Sequence, residues 1–429
     1  MEITFTNRFK SRWNYKKFKF LFKYQKGINP KELITSEKDS KVYLTMDYLR
    51  GNNEKLFFIE DYSNYVLVKE GEILLLWDGS NAGEFIMGKD GVLSSTMAKL
   101  FFINNNNNKY YWYVLKSMEV ILKNFTIGMG IPHINSNILN NILLPIPNFE
   151  EQKLIADFLD YKTAQIDELI EQKEKLLELL EEKRIALITK AVTKGLNPDV
   201  KMKPSGIDWL GDIPEHFTIS KINYEFYIKL GKMLQPEPKD ENDMIKPYLR
   251  AANIFWDKID TSDLNEMYFS PKELNDLKLQ KGDLLISEGG DVGRSCICEY
   301  YFEMYYQNAL IRARNLNNPK SITKYLYYWL YFLKMSGNIN IICNTATISH
   351  YTAEKVKATP FIFPDLKEQE KILCYIENNL APLKELELNI NEALEKLKEY
   401  RSALITAAVT GKIDVRNFKP ENKNEIKRI

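Results

Sequence analysis

Residues that build metal sites, disulfide frameworks and membrane spans are scarce in this sequence. The 429 residues include three histidines and four cysteines, and every cysteine lies in the second half, at Cys296, Cys298, Cys343 and Cys374. Their spacing matches no zinc-binding pattern and no disulfide framework shared by both halves. No apolar run approaches the roughly 20 residues of a membrane-spanning helix, and the N-terminus is too charged and aromatic for a signal peptide. We therefore expect a soluble cytoplasmic protein with reduced cysteines and no metal site.

Net charge and catalytic signatures are also nearly absent. The chain carries 59 Lys and Arg against 58 Asp and Glu, a formal net charge of +1, so no global field predicts a polyanionic partner. It lacks the Pro-Pro-aromatic motif of adenine methyltransferases and the glycine-rich lysine loop that binds nucleotide phosphates. The turn at residues 289–294 lacks the spacing of a dinucleotide fingerprint, and a nuclease motif started from Pro364-Asp365 is not followed by an acidic-x-lysine sequence at a suitable position. We predict that the chain catalyses no reaction.

The dominant feature of the sequence is a repeat of residues 147–193. A shift of 217 positions, the difference between Pro147 and Pro364, also places Glu151-Gln152 on Glu368-Gln369 and Ala-Leu-Ile-Thr at 186–189 on the same letters at 403–406. The agreement continues without a gap. A chain that repeats itself at one fixed offset is best interpreted as two copies of one structural unit.

Each copy has the pattern of a long helix, with apolar residues at heptad spacing and Lys and Glu on the other faces. About thirty continuous residues form a rod of ~45 Å at ~1.5 Å per residue, and we expect the second rod to start at Pro382, after a short helix that contains Glu368-Gln369. Because each rod follows a similar globular segment, an antiparallel coiled coil is expected, with an ordinary helical hairpin as the alternative. The predicted contact residues are Leu159, Ile166, Leu169, Leu176, Leu180, Leu187, Ile376, Leu383, Leu386, Ile390, Leu397 and Leu404.

The two globular segments have the same order of parts. Each has an apolar strand with a glycine-rich turn, an aromatic helix (109–122 and 324–333), a histidine loop and a proline-containing exit. His133 and His350 share the offset of 217. The fold class is therefore α+β, with two mixed α/β domains that alternate with two long helices in an internal pseudo-twofold repeat. The boundaries are 1–147 for the first domain, 148–194 for the first helix, 195–203 for a linker, 204–364 for the second domain, 365–412 for the second helix and 413–429 for a tail.

This arrangement resembles the specificity (S) subunit of type I restriction-modification enzymes. The matching residues are the Glu-Gln pairs that open both helices, the helix ends KRIALITKAVTKG (183–195) and YRSALITAAVTGK (400–412), the segment PSGIDWLGDIPEHF (204–217) and the strand GDLLIS (282–287). The match covers nearly the whole chain. One departure is that the first domain has no counterpart of SGIDWLGDIPEHF, which leaves the N-terminal edge of that domain undefined.

The resemblance implies a DNA-recognition subunit without catalytic activity or cofactor. Two target-recognition domains would read the halves of a bipartite, asymmetric site in double-stranded DNA, and rods of ~45 Å would separate the halves by roughly 13 base pairs at ~3.4 Å each. Two methylation (M) subunits would supply S-adenosylmethionine and methylate adenine, and restriction (R) subunits would use ATP and Mg²⁺. An alternative is a smaller complex with a fused methylase-nuclease. A coiled-coil scaffold without DNA specificity would leave the repeated domains unexplained.

Side chains that can read base edges or bind phosphates are found in the turns of both domains. Residues 1–27 also combine eight Lys or Arg with many aromatics, which suits nucleic acid or the solvent face of a strand equally well. For the histidines two alternatives stay open, hydrogen bonds to DNA and hydrogen bonds within their own loops. Arg312 and Arg314 have the spacing of the wet face of a strand. The predicted DNA-binding residues are Arg50, Ser80, Asn81, Lys89, Ser95, Thr96 and His133 in the first domain and Lys232, Arg250, Asn253, Arg294, Asn308, Arg312, Thr347, Ser349 and His350 in the second.

Overall fold

The computed structural model describes residues 13–35, 39–51, 55–103, 107–128, 130–299, 303–343 and 350–419. The chain divides into two compact units: unit 1 comprises Met1–Lys173 and Asn391–Ile429, and unit 2 comprises Glu174–Ile390. Each unit contains one globular segment and part of each long helix. The predicted DNA-binding residues Thr347 and Ser349 lie outside the described residues.

Unit 1 is built on a four-stranded antiparallel sheet, with strand order Phe22–Lys26, Met97–Phe102, Ile73–Leu76, Phe85–Met87. A second sheet has the order Phe58–Ile59, Lys41–Leu44, Gly91–Leu93, Leu67–Val68, and its central pair is parallel. The N-terminal strand Asn14–Lys17 pairs antiparallel with the exit strand Leu143–Ile146. The helices of the globular segment are Met46–Leu49, Asn108–Asn124 and Ser136–Asn141, with a short 3-10 turn at Phe18–Phe20.

Unit 2 repeats this plan. Its four-stranded antiparallel sheet has the order Phe226–Leu230, Leu310–Asn315, Leu284–Ser287, Ser295–Ile297, and Thr218–Lys221 pairs with the exit strand Pro360–Phe363. A three-stranded sheet has the order Asn265–Phe269, Met244–Leu249, Tyr305–Tyr306. The remaining strands are Met202–Pro204, Asp212–Pro214, Ile254–Phe255 and Lys258–Ile259, and the helices are Ile222–Glu225, Pro271–Leu277, Thr323–Met335, Asn338–Cys343 and Ala353–Ala358, with a 3-10 turn at Ala251–Asn253.

The apolar strands at the centre of each main sheet are covered on both faces. In unit 1, Ile73 and Leu75 pack in the core that contains the aromatic helix Asn108–Asn124, whereas Leu74 packs in the core of the second sheet. Leu284 and Leu285 divide in the same way in unit 2. Successive residues of a strand point to opposite faces, so a strand covered on both sides is apolar at every position. The predicted aromatic helices at 109–122 and 324–333 are confirmed as Asn108–Asn124 and Thr323–Met335.

The two long helices are Phe149–Lys194 and Leu366–Val409. Both are longer than the predicted thirty residues, with 46 and 44 residues. The expectation that the second rod starts at Pro382 is wrong, because Pro382 lies inside a continuous helix. A proline in a helix interior costs about 3 kcal/mol. Apolar residues buried on both sides of it, including Ile376 and Leu383, offset that cost because their burial requires the helix to continue.

Within each unit, the segments of the two long helices pack together and run antiparallel. In unit 1, Arg401 binds Asp167 while Phe418, beyond the end of the second helix, contacts Phe158 on an earlier turn of the first. Position numbers therefore fall along one segment as they rise along the other. In unit 2, Arg184 binds Glu387, and a Cβ on Gly195, just after the first helix, would lie 3.3 Å from a carboxylate oxygen of Glu368, near the start of the second helix. The antiparallel coiled coil predicted from the heptads is confirmed within each unit.

The predicted heptad residues have three levels of exposure. Leu159, Ile166, Ile376, Leu383, Ile390 and Leu404 are buried. Leu180, Leu187 and Leu397 are partly buried against the cores. Leu169, Leu176 and Leu386 are 46%, 38% and 41% exposed, so their role at an interface stays a prediction. Among the described residues, no helix is long and apolar enough to cross a membrane.

Cys296, Cys298 and Cys343 are buried, whereas Cys374 is exposed. Burial raises the pKa of the Cys296 thiol to about 12, because a buried thiolate lacks the solvation that stabilises its charge. Cys296 is therefore protonated at neutral pH and chemically inert.

Replacement of Arg184 by leucine should destabilise the protein more than the same change at Arg401, its counterpart at the offset of 217. Arg184 is 18% exposed and contacts Glu387 at 2.7 Å and Glu181 at 3.2 Å, whereas Arg401 is 32% exposed and binds Asp167 alone. Loss of a partly buried cation leaves two carboxylates near each other, so we expect a cost of about 2 kcal/mol at Arg184 and less than about 1 kcal/mol at Arg401. Urea unfolding of both variants measures the difference, and equal costs would contradict the argument.

Candidate nucleic-acid interface

Loops of unit 1 meet at one end of its main sheet. The backbone N–H of Gly27 donates to the carbonyl of Met97 at 3.0 Å, that of Trp77 donates to Thr96 at 2.8 Å, and that of Ile134 donates to Trp77 at 2.9 Å. These bonds join the ends of three strands to the loop that carries His133. We call this set loop cluster 1, and it comprises residues 27, 77–81, 94–97 and 132–134.

Loops of unit 2 meet through the same three backbone hydrogen bonds. Gly231 donates to Leu310 at 2.8 Å, Glu288 donates to Ala309 at 2.9 Å, and Tyr351 donates to Glu288 at 3.0 Å. Each donor and acceptor occupies the position of its counterpart in unit 1 relative to the flanking strand. We call this set loop cluster 2, and it comprises residues 231–232, 288–289, 307–310 and 350–351.

Both clusters depend on a glycine that directly follows the first strand of the main sheet. A Cβ atom on Gly27 would lie 2.2 Å from the carbonyl oxygen of Ser94, and one on Gly231 would lie 2.5 Å from the carbonyl carbon of Gln307. Real Cβ atoms do not approach backbone atoms this closely, so only glycine allows the two loops to meet. Neither glycine was among the site residues predicted from the sequence, although each follows a strand at the same place in its repeat.

A charged network fixes the histidine of loop cluster 1. His133 Nδ1 lies 2.7 Å from Asp78 Oδ1, and Lys26 donates to the other oxygen of Asp78 at 3.0 Å. The Lys26 ammonium also lies 5.4 Å from the centre of the Trp77 ring, a favourable cation–π distance. His133 thus hydrogen-bonds within its loop region, as one of the two alternatives expected, while 47% of its side chain stays exposed. Lys26, Asp78 and Trp77 were not among the predicted site residues.

Loop cluster 2 has no carboxylate at the corresponding place. Gly289 occupies the position of Asp78, because each is the second residue after the apolar strand of its main sheet. The His350 ring lies next to Gly289. His350 is exposed, and its carbonyl accepts a hydrogen bond from Lys355 at 3.0 Å. The two clusters therefore share a backbone frame but present different side chains.

The predicted residues of unit 1 fall into two groups. Ser80, Asn81, Ser95, Thr96 and His133 belong to or directly adjoin loop cluster 1, and Ser80 and Thr96 are exposed. Arg50 and Lys89 lie outside the cluster and are held by internal partners. Arg50 binds Glu84 at 2.7 Å, and Lys89 donates to the Tyr48 carbonyl at 2.8 Å and covers the Tyr48 ring.

The predicted residues of unit 2 are more strongly engaged inside the protein. In loop cluster 2, Asn308 is partly exposed, whereas the Lys232 side chain is only 8% exposed and pairs with Glu273. Arg250 binds Asp263 at 2.7 Å. The buried side chain of Asn253 donates to the carbonyls of Asp260 and Asp263 and accepts from the Arg250 N–H, so it shapes its own loop. Arg294 donates to the Ala251 carbonyl at 2.9 Å and stacks on Phe255.

The expected wet strand face is wrong for Arg312, whereas the side chain of Arg314 is 25% exposed. Arg312 is 2% exposed, and its guanidinium lies over the rings of Tyr227 and Tyr306. Arg314 binds both oxygens of Asp283 at 2.6 Å, and Asp283 is itself buried. Alternation of polar and apolar residues along a strand does not reveal whether another element covers the polar face. Here that face lies next to the three-stranded sheet, which contains Tyr306. Arg312 is therefore a structural residue that is not free to contact DNA.

Comparison with known proteins gives a consistent family. Residues 10–179 and 214–396 match the type I restriction modification DNA specificity domain. The type I restriction enzyme MjaVIII specificity subunit of Methanocaldococcus jannaschii is 31% identical over 422 residues, which are 95% of this chain and 94% of that protein. The type I restriction enzyme EcoKI specificity subunit of Escherichia coli is 26% identical over 315 residues, which are 71% of this chain and 65% of that protein.

The fold also matches a solved structure. A chain from a structure of complex assembly and conformational transition of the type I R-M system superposes with a TM-score of 0.66, at 14% sequence identity, over 94% of this chain and 98% of that chain. At this identity the match shows a shared fold of two repeated domains and long helices.

Proposed function

Because this chain belongs to the family of type I restriction-modification DNA specificity subunits, we propose that it reads a bipartite, asymmetric DNA site, one half through each unit. The observation that supports this most strongly is the loop cluster built twice with the same backbone hydrogen bonds. Two equivalent frames suit two half-sites. Different side chains on those frames, such as Asp78 against Gly289, suit half-sites of different sequence.

We assign base and phosphate contacts to the exposed and partly exposed polar residues of the clusters. In unit 1 these are Ser80, Asn81, Ser95, Thr96 and His133. Asn side chains suit adenine, and Ser and Thr adapt to several bases. In unit 2 the assignment includes Asn308 and His350 together with Arg250 and Arg294, whose guanidinium groups would have to rearrange from their internal partners. Within this proposal the recognition domains are residues 1–147 and 204–364, and the spacer helices are residues 148–194 and 365–412, as predicted from the sequence.

The chemistry would come from partner subunits in the cytoplasm. Two M subunits would bring S-adenosylmethionine and flip the target adenine out of the duplex. Flipping is needed because a catalytic pocket cannot reach the amino group of an adenine that is still stacked in the duplex. R subunits would add ATP, Mg²⁺ and cleavage. The exposed leucines Leu169, Leu176 and Leu386 supply apolar area for these partners. The separation of the half-sites by the helices stays a prediction.

Single-molecule sequencing of host DNA for methylated adenines, with and without this gene, tests the proposal. We expect a bipartite motif to lose methylation when the gene is deleted and to regain it when the gene is restored. A motif that stays methylated in the deletion strain, or a continuous motif without a spacer, would contradict the function proposed here. Co-purification of the tagged chain with a methyltransferase provides the matched biochemical control.

A further inference from the structure

We infer that Ile127 and Ile131 form an apolar prong that contacts thymine methyl groups in the half-site read by unit 1. The inference rests on the proposed function and deepens it, because it assigns a base contact to residues with no polar group. Neither isoleucine was among the predicted site residues.

Backbone hydrogen bonds between Ile127 and His133 fix the base of the segment that carries the two isoleucines. The N–H of Ile127 donates to the His133 carbonyl at 2.9 Å, and the N–H of His133 donates back to the Ile127 carbonyl at 2.7 Å. Gly128 has a φ of +115°, and a Cβ there would lie 2.4 Å from the Ile131 carbonyl oxygen, so the turn requires glycine. Ile127 is 54% exposed and Ile131 is 61% exposed. The fold therefore holds two large apolar side chains in solvent.

The hairpin is attached to loop cluster 1. The N–H of Gly79 donates to the Pro132 carbonyl at 2.9 Å, and His133 binds Asp78. Since Ser80 directly follows Gly79, the prong is adjacent to the residues assigned to base contacts. The isoleucines and the assigned base contacts are therefore carried by loops that hydrogen-bond directly to each other.

Charge and chemistry favour DNA as the occupant. Residues 120–149 contain no Asp or Glu, and Lys123 is their one cationic side chain apart from the histidine. The carboxylate that contacts this hairpin, Asp78, is itself paired with Lys26, so its repulsion of a phosphate backbone is reduced. Ile127 and Ile131 are both more than half exposed, and exposed apolar area on one surface loop often marks a binding surface. The apolar group that bases present in the major groove is the C5 methyl of thymine. Each half-site of an adenine-modifying system contains an A·T pair and therefore a thymine.

Replacement of each thymine by uracil tests the contact, because it removes the methyl group and keeps every hydrogen bond. With the complete complex of this chain and its M subunits, we expect uracil at the contacted thymine to weaken binding about fourfold per methyl. The Ile127→Ala/Ile131→Ala variant should bind the thymine site roughly tenfold more weakly and should no longer distinguish thymine from uracil.

Two controls make the test specific. Uracil substitutions in the other half-site should affect the wild type and the alanine variant equally, and the Ile127→Val/Ile131→Val variant should keep most of the discrimination. Sensitivity to uracil that is unchanged in the alanine variant would overturn the inference. So would an alanine variant that loses assembly with M subunits, because the prong would then bind protein. If wild-type complex shows no preference for the methylated motif, the proposed function fails instead.

Discussion

Replacement of Gln369 by alanine is expected to lower the free energy of unfolding by about 4 kcal/mol. The Gln369 side chain is fully buried. Its oxygen accepts from the Ser321 hydroxyl at 3.0 Å and the Ile322 N–H at 2.9 Å, and its Nε2 donates to the Lys320 and Pro364 carbonyls at 2.9 Å each. Alanine would leave these four buried groups without their hydrogen-bond partner. Each buried polar group that loses its partner costs about 1–3 kcal/mol.

Gln152, the counterpart in the first copy, provides the matched control. Its oxygen accepts from the Asn107 N–H at 3.1 Å and its Nε2 donates to the Pro147 carbonyl at 3.0 Å. Because half as many bonds are lost, Gln152→Ala should cost about 2 kcal/mol. Urea unfolding of both variants in the full chain measures the difference. A Gln369→Ala variant that is no less stable than Gln152→Ala would refute the view that these amides connect the exit, the aromatic helix and the long helix.

Substitution of Gly231 by alanine is expected to reduce methylation of the bipartite site by roughly ten- to a hundredfold. The added Cβ would lie within 2.8 Å of the Gln307 carbonyl carbon and oxygen and the Asn308 nitrogen. These are backbone atoms of the loop that carries Asn308, so the loop itself must move. Overpacking of this kind costs about 1–3 kcal/mol, and the displacement falls on a proposed base contact. The rate of adenine methylation by the reconstituted complex measures the effect.

Gly27→Ala is the equivalent substitution in unit 1, and Gly130→Ala is the control for a glycine whose Cβ has no close contact. Gly27→Ala should act in the same way through unit 1, because its Cβ would meet the Ser94 backbone. Among the described residues no atom lies within 4 Å of a Cβ on Gly130, and its φ is outside the left-handed region, so Gly130→Ala should leave the unfolding midpoint unchanged. Normal methylation by the Gly231→Ala complex would show that loop cluster 2 does not position a base contact.

Part of this architecture is already determined at the level of local sequence. Heptad periodicity predicts the long helices and their antiparallel pairing, because an amphipathic helix must bury its stripe and the duplicate supplies a matching one. The Glu-Gln pairs predict equivalent roles, and Gln152 and Gln369 both donate to the carbonyl of the proline at the start of the repeat. Repetition at one offset therefore carries real positional information.

The candidate site could be predicted only in part, because the repeat loses its constant offset in the loops. Gly27 corresponds to Gly231 and Asp78 to Gly289, at distances of 204 and 211 residues, and these pairs become visible only through the hydrogen bonds they share. Selection of polar residues in turns finds Thr96 and His133, which lie in loop cluster 1. It also selects Asn253, whose side chain is buried and hydrogen-bonds within its own loop.

Sequence by itself determined the repeat, the helix pair, the aromatic helices and the family, because periodicity and spacing are properties of neighbouring residues. Tertiary structure alone decided which polar groups face solvent. Arg312 is buried because the three-stranded sheet packs next to its strand, and Pro382 stays helical because buried residues flank it. Exposure of Ile127 and Ile131 likewise depends on Gly128 and on the hairpin bonds to His133. Burial is set by segments distant in the chain, and no local pattern encodes which segment will cover a given face.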